Sequence, residues 1–268
     1  MGKLIGQLFK EDIKTVLACM LMPLILGIAG MALYAATGLE ALFAIVAIAA
    51  TAMVFGPLVS IVFLANNDNK RFYKDGASFY TCLPYGSEKI NLARLINFVI
   101  MGAIIFLISI GNFLSLAATS PSEAITFGEL IREIGRLLGS IKPEMWLALV
   151  KSLIIAIGVG LVLAQMIMAM NTLAASNPFN KLGKIANSII FIILFIGQGY
   201  LYLKVFGILL DSKLIKTTEV IQESAQVGIS AFDFTLGSFL IVLLVLVIFN
   251  LLYFGMINYF HKKKISVQ

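Results

Sequence analysis

Residues 234–260 read FTLGSFLIVLLVLVIFNLLYFGMINYF, 27 residues without one charged side chain. A bilayer core about 30 Å thick needs roughly 20 apolar helical residues, so this block is long enough to span it. It is too long and too uniformly apolar for the alternating strand of a barrel. Lipid cannot hydrogen-bond an open backbone, so a helix is the expected form. Five further charge-poor blocks precede it: Thr15 to Ala36, Ala41 to Asn67, about Asn91 to Ala118, Met145 to Asn171 (which includes Lys151), and Ile185 to Leu203. The bulk composition agrees. Of 268 residues, 60% are hydrophobic and 13% charged, against about 25% charged in a soluble domain. The expected fold class is an all-α polytopic membrane protein with six transmembrane helices, forming one domain over residues 1–268.

Charge placement sets the expected orientation. The N-terminus, Asn66–Arg94, Pro178–Lys184 and the tail together hold 13 basic and 5 acidic residues, and the opposite set holds 7 basic and 9 acidic. The positive-inside rule puts the first set, with both termini, in the cytoplasm. Tyr34, Trp146, Tyr200 and Tyr202 then fall at outer ends of spans and Tyr259 at an inner end, as interfacial aromatics do. Lys151 and Lys204 lie close enough to outer ends to snorkel.

Three segments outside the blocks have helical patterns. In residues 1–14, Leu4, Ile5, Leu8, Phe9 and Ile13 share one face and Lys3, Lys10 and Lys14 another, the pattern of an interfacial helix. An extension of the first span is the alternative. Within 119–144, Thr126 and Glu129 form a capping box, followed by Leu130, Ile134, Leu137 and Ile141. Within 204–233, Asp211 to Gln226 shows a weaker helical pattern. The latter two are expected to be short extracellular helices.

Signatures of catalysis are missing. The sequence has no Walker-A loop and no His-Glu-x-x-His, and no Gly-x-Ser-x-Gly. Cys19 and Cys82 read as free thiols, and the one histidine, His261, leaves no metal-ligand set. No cleavable signal core precedes the first block, and Gly6 stands where a myristoylation signal needs Ser or Thr. No Asp or Glu lies deep in a block, which argues against a proton-coupled carrier. The expectation is a non-enzyme with no cofactor, no metal and no nucleic-acid partner.

Small-residue ladders, Ala52-Gly56-Ser60 and Ala156-Gly160-Ala164, favour close helix packing or a subunit interface. Pro57 follows Gly56 in mid-span, and Pro23 lies inside the first block; both are expected to kink their helices. Gln198, between two glycines, either faces a pathway or hydrogen-bonds a neighbouring helix. Met166, Met168 and Met170 read as packing or lipid-facing residues.

The longest inner loop, residues 66–89, is the most informative segment: NNDNKRFYKDGASFYTCLPYGSEK. Asp75 can cap a short helix that carries Phe79, Tyr80 and Leu83 on one face and ends at Pro84. Exposed aromatics there need a partner or a membrane surface. This stretch, with Ile90 to Ile96 after it, resembles the inner loop of type-2 ABC exporter permeases of Gram-positive bacteria. Phe72, Tyr73-Lys74, Asp75-Gly76, Leu83-Pro84 and Lys89 fill that family's aromatic, Tyr-Lys, acidic-Gly, Leu-Pro and Lys positions. The residue-level likeness covers about Lys70 to Ile96.

The resemblance implies a bacterial plasma-membrane permease. A separate soluble ABC ATPase, holding ATP and Mg, would contact the loop through Asp75, Phe79, Tyr80, Leu83 and Pro84. A second permease copy would pair with this one, identical or not. The cargo expected is an amphipathic peptide or another apolar or amphiphilic molecule, since the blocks carry amides such as Asn97, Asn112, Gln165, Asn171 and Gln198 but no buried acid or base. A non-transporting scaffold or sensor subunit and an ion-coupled secondary transporter are the competing classes.

Overall fold

The computed structural model describes residues 1–39, 41–74, 76–77, 80, 85–118, 128, 132, 135–136, 143–177, 179–212, 215–220 and 229–263. Six long helices dominate: α1 (Gly2–Thr37), α2 (Ala41–Tyr73), α3 (Ser87–Ala118), α4 (Pro143–Ala174), α5 (Ala186–Asp211) and α6 (Leu236–Lys263). All six are long and apolar enough to cross a membrane. The protein is an all-α polytopic membrane protein. Each helix overruns the apolar block that predicts it, because polar residues at a span end can continue the helix into the headgroup layer. The chain divides into two compact units of three spans each, Met1–Leu138 and Gly139–Ser266.

In the first unit, α1 packs along α2 and α3. Residues four apart on α1, Leu4, Leu8, Asp12, Val16 and Met20, are all buried. This ridge runs without a break from the amphipathic start into the span. The separate interfacial helix expected over residues 1–14 is therefore corrected: it is the first part of α1. No Pro stands before Pro23, so nothing interrupts the helical hydrogen bonds where the amphipathic stretch meets the apolar block. Gly30 faces Val46, where an added Cβ would sit 3.1 Å from a methyl, and Gly56 faces the Cys19 carbonyl and Met20. Gly56 thus serves close packing of α1 on α2. Pro23 and Pro57 both lie inside unbroken helices. Gly38 ends α1 in the left-handed conformation, φ 67°, and returns its amide to the Tyr34 carbonyl at 2.8 Å.

In the second unit, α4 packs against both α5 and α6. Gly158, not Gly160, makes the close approach: a Cβ there would stand 2.8 Å from the Leu246 side chain, whereas Gly160 faces open space. Met166, Met168 and Met170 are buried packing residues. A 3-10 turn, Phe179–Ile185, leads into α5. Thr235 caps α6 by accepting the Ser238 amide at 3.3 Å.

Between α5 and α6, the helix expected over Asp211 to Gln226 is replaced by an antiparallel hairpin, β1 (Ile215–Val220) with β2 (Ile229–Phe234). Its register runs from Ile215↔Phe234 to Val220↔Ile229. The β-branched residues Ile215, Thr217, Thr218 and Val220 favour a pleated strand over a helix. Lys151 donates to the Phe234 carbonyl at 2.6 Å. That bond joins α4 to β2, in place of the free snorkelling expected of this lysine. The expected helix around Phe127 to Ser140 lies almost wholly outside the described residues.

Candidate functional site: a buried ionic platform

The polar residues of the first unit gather at the end of α1, α2 and α3 that carries the α2–α3 loop. Asp12, on the buried ridge of α1, is 2% exposed. It accepts from Asn67 Nδ2 at 3.1 Å, from both terminal nitrogens of Arg71 (Nη1 at 2.9 Å), and from Asn97 Nδ2 at 2.7 Å. Arg71 also pairs through Nε with Glu11 at 2.7 Å. One carboxylate of α1 is thereby tied to α2 by a bidentate fork and to α3 by an amide.

A second fork lies beside the first. Arg94 of α3 is 1% exposed. Its Nε and Nη2 donate to the two Asp68 oxygens at 2.8 and 2.6 Å. Its Nη1 donates to the Tyr73 hydroxyl at 2.9 Å and to Asn91 Oδ1 at 3.0 Å. The guanidinium stands 4.6 Å from the centre of the Phe72 ring, a cation–π distance. Each buried charge has an opposite partner in fork geometry, the condition under which burial of a charge is tolerated.

An apolar layer adjoins these pairs. Leu4, Leu8, Phe72, Tyr80, Ile90 and Ala93 form one buried cluster. The Phe72 and Tyr80 rings are 4.7 Å apart. Burial, reinforced by the negative charge of Glu11, pushes the Tyr80 phenol above its ordinary pKa. The start of the loop is fastened by backbone bonds: Gly76 N–H to the Lys70 carbonyl at 3.0 Å, Ala77 N–H to Lys74 at 2.9 Å, and Tyr80 N–H to Gly76 at 3.2 Å. A Cβ on Gly76 would meet the Arg71 carbonyl oxygen at 2.9 Å and its Cα at 3.0 Å. Only glycine fits that approach of backbone to backbone.

These facts correct two expectations. Tyr80 is not an exposed docking aromatic; it is buried in its own chain. The spans do hold buried acids and bases, namely Asp12, Asp68 and Arg94. They were missed because each lies at or beyond the edge of an apolar block. A signal was present in Asn91, Arg94 and Asn97, which recur every three residues and so share a helical face, and in the Asn67-Asp68/Arg71 spacing. Asp75, Phe79, Leu83 and Pro84 lie outside the described residues. Gln198, of the second unit, is buried and accepts a hydrogen bond from the Tyr253 hydroxyl at 2.9 Å. Among the described residues, no three His, Cys, Asp or Glu side chains stand close enough to hold a metal ion.

The platform offers no chemistry to a solute, since its charges answer one another. Its physical consequence is mechanical: three helix ends are joined by directional, charge-assisted bonds, and the start of the loop is fastened to α2 by backbone bonds and the Tyr80–Phe72 ring contact. Comparison with known protein families, with curated proteins and with solved structures finds no match for this chain.

Proposed function

We propose that this chain is the membrane-spanning permease subunit of an ATP-driven exporter in a bacterial plasma membrane, with both termini and the α2–α3 loop in the cytoplasm. A separate ABC ATPase, carrying ATP and Mg, engages that loop, and two permease chains together form the pathway. The cargo is an amphipathic peptide or another amphiphile. The observation that carries this reading is the coincidence of two features. The stretch that resembles the exporter family, Lys70 to Ile96, is the stretch that supplies Arg71, Phe72, Gly76, Tyr80 and Arg94 to the platform. A force applied to this loop passes through Tyr80 and the two ion pairs into α1, α2 and α3 together.

The platform also supports the cargo class. Its buried charges are paired within the protein, and the deeper span positions carry amides and apolar side chains, a lining suited to greasy solutes. The missing Walker-A loop is consistent with ATP hydrolysis on another chain.

The test is co-expression with the soluble Walker-motif ATPase expected from a neighbouring reading frame. The two should co-purify. Phe79→Ala with Leu83→Ala should weaken recovery, since an interface hot spot is worth about 2 kcal/mol, roughly 30-fold in affinity. In proteoliposomes, amphipathic peptides should stimulate ATP hydrolysis and accumulate opposite the ATPase. Unchanged ATPase recovery with the double variant would refute the docking site. Stimulation by sugars or metal ions alone would refute the cargo class.

A further inference from the structure

The second unit holds an open cleft of about 410 Å³ between α5 and α6. Both helices pack on α4, and they touch one another through the Tyr253–Gln198 hydrogen bond and the Tyr202–Phe249 ring pair. Ile193, Gly197 and Leu201 form one wall, and Phe249, Leu252 and Met256 the other. Gln198 and Tyr253 also line it, joined by the hydroxyl-to-amide hydrogen bond of 2.9 Å.

Depth makes this pair unusual. Gln198 lies about 18 Å along α5 from Ala186, and Tyr253 about 15 Å along α6 from Lys263, at 1.5 Å per residue. Both therefore sit near the middle of spans about 40 Å long, where the surroundings are hydrocarbon. A phospholipid tail has only methylenes at that depth and leaves polar groups unmatched. The pair presents both hydrogen-bonding senses. Tyr253 donates its one proton to Gln198 Oε1, so its oxygen remains an acceptor, while of the two N–H groups on the Gln198 amide nitrogen one serves the Tyr202 hydroxyl and one is left for a ligand. A secondary amide is the complement: its C=O takes a Gln198 N–H, and its N–H goes to the Tyr253 oxygen.

We propose that the α5–α6 cleft binds an amide-bearing amphiphile from within the bilayer, its alkyl part between the apolar walls and its amide on Gln198 and Tyr253. The proposal rests on the exporter reading for the identity of this ligand as cargo, and it names an amide-containing chain as the cargo class. An ester of the same length satisfies only the donor side and binds less well.

The test uses the full chain alone in phosphatidylcholine nanodiscs. Three diazirine probes are compared: N-methyldodecanamide, methyl dodecanoate and a phosphatidylcholine. Crosslinks are mapped by mass spectrometry. The amide should label residues 193–201 and 249–256, and unlabelled N-methyldodecanamide should compete. The ester should label about five-fold less, the worth of one hydrogen bond. Gln198→Leu should lower labelling by both the amide and the ester, because the donor that takes either carbonyl is lost. Gly197→Leu should remove amide labelling, because Gly197 lines the cleft and an added Cβ there meets no neighbouring atom within 4 Å.

Equal labelling by the phosphatidylcholine probe without competition would mean that ordinary lipid fills the cleft, and would overturn the proposal. Crosslinks from these positions to a second copy would mean that a neighbouring helix covers it, and would do the same. Competition on the unmodified chain decides the matter even if a variant folds poorly. No ATPase is present, so failure here leaves the exporter reading standing. Retained amide labelling in a chain that never pairs with an ATPase would refute the exporter reading alone.

Discussion

Removing the Asp68 carboxylate is the most direct probe of the platform. Asp68→Ala leaves the Arg94 guanidinium, 1% exposed, without its bidentate partner. Asn91, the Tyr73 hydroxyl and the Phe72 ring remain, all uncharged. Breaking a buried pair from one side costs about 3–5 kcal/mol, because the other charge stays buried. On the scale of soluble domains of 150–250 residues, each kcal/mol moves the unfolding midpoint by about 2–4 °C. The expected drop is thus roughly 6–20 °C. Asp68→Asn should fall less, since its carbonyl oxygen still accepts one of the two bonds. The double change Asp68→Leu with Arg94→Met should recover most of the loss, because removing both charges removes the desolvation cost as well as the attraction. The assay is recovery of monodisperse, detergent-purified protein after heating. If Asp68→Ala and the double variant lose the same amount, packing volume rather than charge pairing holds these helices. A drop under about 2 °C for Asp68→Ala would mean that the pair is not desolvated.

Other consequences are narrower. Gly76→Ala forces a Cβ against the Arg71 backbone, which cannot yield as a side-chain tip would; a cost of about 1–3 kcal/mol should appear as faster tryptic cleavage at Lys74 and Lys89. Because the Tyr80 phenol titrates above its ordinary value of 10.0, the stability linked to it is full below pH 10 and is lost as pH rises through the higher folded value. Tyr80→Phe should flatten that alkaline decline in a thermal-stability series. The proposed orientation requires that, on a Cys-free background, a cysteine at position 133 reacts with an impermeant thiol reagent from outside, and one at position 74 does not.

The six spans were legible because hydrocarbon thickness imposes a length and a composition that few soluble segments meet. Their ends were not, since the same rule says nothing about how far a helix continues once it leaves lipid. The fifth span shows the consequence. Read as ending at Leu203, it puts Tyr202 at an interface; it continues to Asp211, which places Tyr202 and Gln198 well inside the helix. The start of α1 failed for a related reason. An amphipathic stretch looks the same in sequence whether its apolar face covers lipid or protein, and here Leu4 and Leu8 are buried among Phe72, Ile90 and Ala93. The polar network was hidden because the Asp12–Arg71 ion pair and the Asp12–Asn97 hydrogen bond join residues far apart in the chain, and single-sequence periodicity carries no information about such partners. The strands at Ile215–Val220 and Ile229–Phe234 were masked by a coincidental helical spacing of Leu214, Thr218 and Ile221.

The two units are held by different forces, and this bears on how a permease would use them. Between helices in lipid, apolar contact gives little net driving force, so hydrogen bonds and close packing decide the geometry. The first unit places bidentate ion pairs between its helices, and losing one partner of such a pair costs about 3–5 kcal/mol. In the second, neutral bonds join helices, among them Asn187 to Asn171 at 3.2 Å and Tyr253 to Gln198 at 2.9 Å. Neutral cross-helix bonds of this kind average about 0.6 kcal/mol in a membrane protein. α1 and α2 are thus tied by the charge-assisted Asp12–Arg71 fork, and α5 and α6 by the neutral Tyr253–Gln198 bond. Under the proposed function, a loop that acts on the first unit and a cleft that lies in the second would divide force transmission from ligand accommodation between the two halves of the chain.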